Sequence, residues 1–313
     1  MALPIRAHFA ARLAALVEER RSQVVLGLDP DPAKLWPEAV ARTGAAEVLP
    51  AERAALTAEA VANHCRLAIA AAAPSCVAVK PQLACFERLG APGWEALVQV
   101  IDSAHENELL VIADGKRGDV PQTARAYAQA LVGQTDGPFG TIDGLAADAF
   151  TANPLLGRDA LEPLVEAAAS AHAGCFVLVR TSNPGAAELQ DEPADLPLRT
   201  RLARIVAELG ADHVGSSGLS DVGAVTGATR PELLAELREL MPQAVFLLPG
   251  VGAQGGSAEE LGPAFAPHPA AGLVAASRSI VDAHEQRGGD PSAAAAAAAE
   301  ELRAATWAVA TER

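Results

Sequence analysis

Residues 109–123 read LLVIADGKRGDVPQT, so five apolar residues, Leu109 to Ala113, run into Asp114, Lys116, Arg117 and Asp119. An apolar run of that length reads as a strand buried on both faces. Side chains alternate along a strand, so Asp114 and Lys116 are expected to point the same way. An ammonium beside a carboxylate at the end of a buried strand is costly unless the two are paired or put to use. The same DGKRGD stretch also reads as a solvated turn, because Asp-Gly is a strong hairpin signal. Lysine usage favours chemistry. The chain has 21 Arg but only three Lys, at 34, 80 and 116. Lysine can give up a proton where arginine cannot. Two of the three lysines end strand-like runs, VAVK at 77–80 and IADGK at 112–116.

A second group of residues suits an anion. The stretch GVGAQGG at 250–256 lets the backbone approach a ligand and aim several N–H groups at it. Arg278, opening a short helical turn in SRSI at 277–280, offers a fork that matches phosphate oxygens.

The elements that must position these groups alternate between strand and helix. Strand-like runs lie at 24–28, 76–82, 109–113, 142–154, 175–185, 221–228, 244–256 and 271–280, with helical stretches between them. Thr57 is expected to cap the helix that follows the first strand, and Asp290-Pro291 opens the last helix. Eight such repeats without a linker predict one (β/α)8 barrel over 1–313; an open doubly wound sheet is the alternative. An amphipathic helix is expected before the first strand, and insertions near 33–56 and 186–200. The barrel is preferred because Asp29, Lys80, Asp114, Lys116, Ser182, Gln254 and Arg278 all fall at or just after strand C-termini, the rim that carries active sites in that fold. Loops seven and eight of such barrels commonly hold phosphate, which places GVGAQGG and Arg278 together.

Composition bounds the partners. The chain is 50% hydrophobic with net charge −15, enough for a large core and unsuited to nucleic acid or an anionic membrane surface. No run of 18 uncharged apolar residues occurs, so no membrane span is expected. The four cysteines form no CxxC pair and the seven histidines show no metal-ligand spacing. Reduced thiols, no metal, no cofactor and a cytoplasmic location are therefore expected.

The chain resembles the orotidine 5′-phosphate decarboxylases, in their longer bacterial branch (type 2). The resemblance rests on GLDPDP at 27–32, VKPQLACFERLGAPG at 79–93, DGKRGDV at 114–120, TSNPGAAELQ at 181–190, PGVGAQGG at 249–256 and SRSI at 277–280. It implies decarboxylation of orotidine 5′-monophosphate to UMP and CO2, the last step of de novo UMP synthesis. It implies that Lys80, Asp114, Lys116 and Asp119 form an alternating charged tetrad, with Lys116 protonating C6. Asp29 would contact the ribose and Ser182 the pyrimidine. Gln254 and Arg278, with the Gly255 and Ser277 backbone, would hold the phosphate. Asp119 and Thr123 would reach into a neighbouring subunit, giving a homodimer with shared active sites. The chain departs from some relatives at Asn183, where they have His, and at Ser277, where shorter ones have Gly. The D-x-K-x-x-D element is also similar to that of magnesium-dependent sugar-phosphate decarboxylases and aldolases of the same barrel group. Those relatives carry a carboxylate at the second strand, where this chain has Lys80.

Overall fold

The computed structural model describes residues 7–44, 48–252 and 255–312. Its strands are β1 (Val24–Leu28), β2 (Ala78–Pro81), β3 (Leu110–Arg117), β4 (Gln134–Gly137), β5 (Gly140–Asp143), β6 (Ala149–Ala152), β7 (Gly174–Arg180), β8 (Ser220–Thr226), β9 (Ala244–Pro249) and β10 (Gly272–Ala276). Eight of them close into a barrel in the order β1-β10-β9-β8-β7-β6-β3-β2, every pair parallel. The open-sheet alternative is excluded, and the (β/α)8 expectation holds. Every residue of β1, β2, β6, β8 and β10 is buried. Such strands read as continuous apolar runs because a barrel strand is covered on both faces.

Helix Phe9–Arg20 closes the N-terminal mouth of the barrel. Its apolar stripe buries Phe9, Leu13 and Val17, and Phe9 meets Phe176 edge to face at 5.8 Å. A side chain at Gly174 would lie 2.6 Å from the Phe9 ring, so glycine makes this seat. Polar pins hold the helix down. The Ala10 N–H donates to Asp221 Oδ1 at 2.8 Å, and Arg12 Nη1 to Asp148 Oδ1 at 2.5 Å. His105 meets the other Asp148 oxygen at 3.1 Å.

Two local expectations need correction. Helix Arg53–Ala72 starts a turn before Thr57, whose hydroxyl instead donates to the Arg53 carbonyl at 2.6 Å inside the helix. The region before the fourth barrel strand also contains an antiparallel hairpin, β4 with β5. Asp290 does cap the last helix, accepting the Ala293 N–H at 2.8 Å. The insertion near 33–56 contributes a short helix, Pro37–Ala41, and buries Trp36. The insertion near 186–200 contributes helix Ala186–Gln190 and the start of Leu198–Gly210.

Among the described residues no helix is long and apolar enough to cross a membrane. The four cysteines are free thiols. Burial pushes Cys76 and Cys175 up to about 12, which keeps them protonated and unreactive.

Candidate active site

The C-terminal ends of the strands surround a cavity of about 540 Å³ whose wall includes Asp29, Lys80, Asp114, Lys116, Ser182 and Arg278. At its floor the Asp114 carboxylate is saturated. Its Oδ2 accepts from Lys80 Nζ at 2.6 Å and Gln82 Nε2 at 3.2 Å. Its Oδ1 accepts from Lys116 Nζ at 2.6 Å and Thr151 Oγ1 at 2.9 Å.

The three charged groups differ in exposure. Asp114 and Lys80 are buried, whereas 42% of the Lys116 side chain remains accessible. Burial would raise the Asp114 carboxyl, but the Lys80 and Lys116 ammonium groups outweigh it and hold it well below the usual carboxylate range. Burial likewise pulls the Lys80 ammonium down, and Asp114 and Asp29 more than reverse it. Asp114 is therefore an anion, and Lys80 a cation, across neutral pH. All three line the cavity, and Lys116 is the most accessible of them.

The backbone delivering Lys116 is irregular. The β3–β6 register slips between Ala113 and Arg117, and Lys116 itself sits at φ 47°. A non-glycine residue rarely adopts this left-handed conformation, and it costs of order 1 kcal/mol or more. The Lys116 N–H is fixed in place by Thr151 Oγ1 at 2.9 Å. Asp114 and Lys116 do converge as expected, but through a broken strand rather than simple alternation. Thr151 and Gln82 are the contributors that sequence reading missed. A buried Thr in the short strand AFTA was the available signal for one, and the VKPQ motif for the other.

Asp119 and Thr123 lie outside the cavity wall. Asp119 Oδ1 accepts the N–H of Val120 at 2.7 Å, and Thr123 is exposed at the start of helix Pro121–Leu131. The structure thus assembles three of the four charged residues within one chain.

After β10, also in the cavity wall, Arg278 opens a short helix, Arg278–Val281, with Ser277 as its cap residue. Among the described residues the Arg278 guanidinium makes no ion pair, which leaves it available to an anion. Gly27 on β1 makes room for Ser277: a Cβ there would lie 2.8 Å from the Ser277 Cβ. The loop after β9 folds on itself, with the Gly252 N–H on the Gly256 carbonyl at 2.9 Å and the Gly255 N–H on the Gly252 carbonyl at 2.9 Å. Gly250 and Gly255 take φ of 107° and 88°, which only glycine adopts readily. Gly255 does not line the cavity in this conformation, and Gln254 lies outside the described residues.

Comparison with known proteins agrees with this geometry. Residues 22–297 match the model of the orotidine 5′-phosphate decarboxylase / HUMPS family. The orotidine 5′-phosphate decarboxylase of Rhodopirellula baltica is 41% identical over 302 residues, covering 95% of this chain and 96% of that one. The Deinococcus radiodurans protein of the same name is 39% identical over 272 residues, covering 87% and 88%. Among solved structures, the Leishmania donovani OMP decarboxylase superposes with a TM-score of 0.69 at 30% identity, covering 96% of this chain and 99% of that one.

Proposed function

The chain belongs to the orotidine 5′-phosphate decarboxylase / HUMPS family, and from that premise we propose that Lys116 is the proton donor of its decarboxylation. The enzyme is a carbon–carbon lyase that converts orotidine 5′-monophosphate to UMP and CO2, the last step of de novo UMP synthesis. Loss of CO2 from C6 leaves an electron pair in an sp2 orbital that the pyrimidine ring delocalises poorly. Preorganised charge aimed at that carbon is the available means of stabilising it.

The observation that carries the assignment is the Lys80–Asp114–Lys116 chain, with two 2.6 Å ion pairs, all three members lining the cavity and Lys116 the most accessible of them. The Lys116 ammonium stabilises the developing carbanion and then protonates C6. Asp114, held ionised, lies where its charge opposes the substrate carboxylate more than the transition state that is losing it. Lys80 keeps Asp114 anchored and charged. Asp29 binds the ribose, Ser182 the pyrimidine, and Arg278 with Gln254 and the backbone of Gly255 and Ser277 the phosphate. Such a reaction needs roughly 20 kcal/mol of barrier reduction. One lysine cannot supply it, so phosphate and ribose binding must contribute through loop closure.

Asp119 and Thr123 complete the site from a second subunit, which makes the working unit a homodimer with shared active sites. Their position away from the cavity of their own chain supports this reading. The described residues form one barrel domain, and free thiols with net charge −15 suit a cytoplasmic enzyme without nucleic-acid partners. The metal-dependent sugar-phosphate enzymes of the group are disfavoured by Lys80. An ammonium 2.6 Å from Asp114 repels a divalent cation at that carboxylate.

The test is incubation with orotidine 5′-monophosphate and a chelator, following the loss of orotidylate absorbance. Turnover that vanishes in Lys116→Ala is expected. A folded protein with no turnover would overturn the assignment, and magnesium with sugar phosphates would be tried next.

A further inference from the structure

The β7 exit carries a partly buried ion-pair cluster that none of the roles above uses. Arg180 ends β7, and the β7–β8 register slips between Leu178 and Arg180. Leu178 lines the cavity and Arg180 does not, as expected where a bulge re-aims a side chain. The Arg180 side chain is 5% accessible and grips Asp191 through both carboxylate oxygens, Nε to Oδ1 at 3.1 Å and Nη2 to Oδ2 at 3.0 Å. Arg180 also donates to the Thr181 carbonyl. Asp191 takes Arg199 Nη1 at 2.9 Å and lies 3.7 Å from Arg230 Nη1. One carboxylate in the 186–200 insertion thus gathers arginines from the end of β7, the start of helix Leu198–Gly210 and the loop after β8.

The residue before Asp191 extends the grip to the cavity wall. Gln190 Oε1 accepts the Thr181 N–H at 2.8 Å, and Gln190 Nε2 donates to Thr181 Oγ1 at 3.0 Å. Ser182 is held from the other side. Its carbonyl accepts from Thr229 Oγ1 at 3.3 Å, and a side chain at Gly227 would meet the Ser182 Cα at 2.9 Å. Thr181, Ser182, Leu189 and Gln190 all line the cavity that Lys116 faces. Leu189 is 69% exposed, an apolar side chain at the rim without a covering partner.

We propose that Arg180 and Asp191 form a latch that positions residues 181–190 as the preformed wall against the pyrimidine ring. Both are positioning residues, acting on Ser182 and Leu189 through Gln190 and Thr181. The proposal rests on the assignment of the cavity to orotidine 5′-monophosphate and UMP. A bidentate charge-assisted pair suits the task because it fixes orientation as well as distance. A wall fixed before binding also lowers the ordering cost when the base arrives.

The test compares two probes on Asp191→Asn, which keeps the shape and removes the charge. UMP reports the whole nucleotide, and ribose 5-phosphate reports the ribose and phosphate ends without the base. UMP dissociation constants are expected to rise about tenfold while those of ribose 5-phosphate stay within a factor of about two. Loss of affinity for both probes alike, or for neither, overturns the latch. A wild-type chain that fails to bind UMP overturns the reading of the cavity and the latch with it. If Asp191→Asn does not fold, Arg180→Lys keeps the charge and removes the two-pronged grip on Asp191. The same selective loss is then expected at about threefold, and its absence overturns the proposal.

Discussion

Lys80 and Asp114, brought together from adjacent strands, pair at 2.6 Å with both side chains buried, and the same carboxylate holds the far more accessible Lys116 at an equal distance. Equal bond lengths with unequal burial give the two lysines different surroundings, and the proposed roles make different predictions for them. Removing a buried partner leaves an uncompensated charge and costs about 3–5 kcal/mol. Removing an accessible one leaves Asp114 still paired to Lys80.

Lys116→Ala is therefore expected to lower kcat by about a thousandfold or more while the melting temperature moves by no more than about 2 °C. Lys80→Met should lose activity and also melt clearly earlier. Thermal melts beside single-turnover assays check the pair. Equal destabilisation by the two variants would contradict the division of labour.

On the side of the cavity proposed to hold the phosphate, the backbone makes a close approach. A Cβ at Gly27 would lie 2.8 Å from the Ser277 Cβ. Gly27→Ala should displace Ser277 and the adjacent Arg278, lowering kcat/KM by about ten- to a hundredfold. Adding Ser277→Gly should restore most of the loss, because the two sites are in contact and couple. Failure of the second substitution to rescue would mean that the Gly27 effect has another origin. Arg278→Ala alone should cost several kcal/mol of transition-state stabilisation with the Lys80–Asp114–Lys116 chain intact, and a loss under about 1 kcal/mol would argue against its phosphate role.

What could be read in the sequence follows from how local each feature is. The barrel was legible because each doubly covered strand is a continuous apolar run ended by a polar residue, as in VVLGLD and VAVKP. Asp114 and Lys116 were legible as a charged knot, but their convergence was ascribed to alternation. The actual cause is a register slip with a left-handed lysine, which needs β6 to be seen. Thr151 was missed for the same reason: it matters only because β6 lies beside β3. Hairpin β4–β5 went unread because the residues of QTDG and GTID are almost all exposed, so no apolar alternation marks them. The insertion near 186–200 had no visible role because Asp191 meets Arg180, Arg199 and Arg230 only once the end of β7, the insertion and the loop after β8 fold together.

Stability against acid should depend on the seat of the N-terminal helix. Burial would raise the Asp148 carboxyl, but His105, Arg12 and the Val111 N–H outweigh it and lower it to about 2. A carboxyl lowered on folding stabilises above its unfolded value, near 3.9, and that stability disappears as pH falls through the folded value. The pH-dependent part is about 2 kcal/mol. Denaturant unfolding at pH 7 should therefore show a gap between wild type and Asp148→Asn that narrows from about pH 4 toward about pH 2. A gap independent of pH would show that Asp148 acts through packing rather than charge.

Asp119 offers the sharpest check on the proposed sharing of the site between subunits. In its own chain its carboxylate caps the Val120 N–H at 2.7 Å and does not line the cavity, while the Lys80–Asp114–Lys116 chain is complete without it. If Asp119 acts on a neighbour, Lys116→Ala and Asp119→Ala are each inactive as pure dimers for different reasons. A mixed dimer then holds one site with both defects and one with neither. After random exchange half the dimers are mixed, so activity should recover to about a quarter of wild type. The measurement is decarboxylation before and after exchange, with mixed dimers counted by a mass tag on one variant. Mixed dimers present in the expected proportion but without activity would confine Asp119 to its own chain.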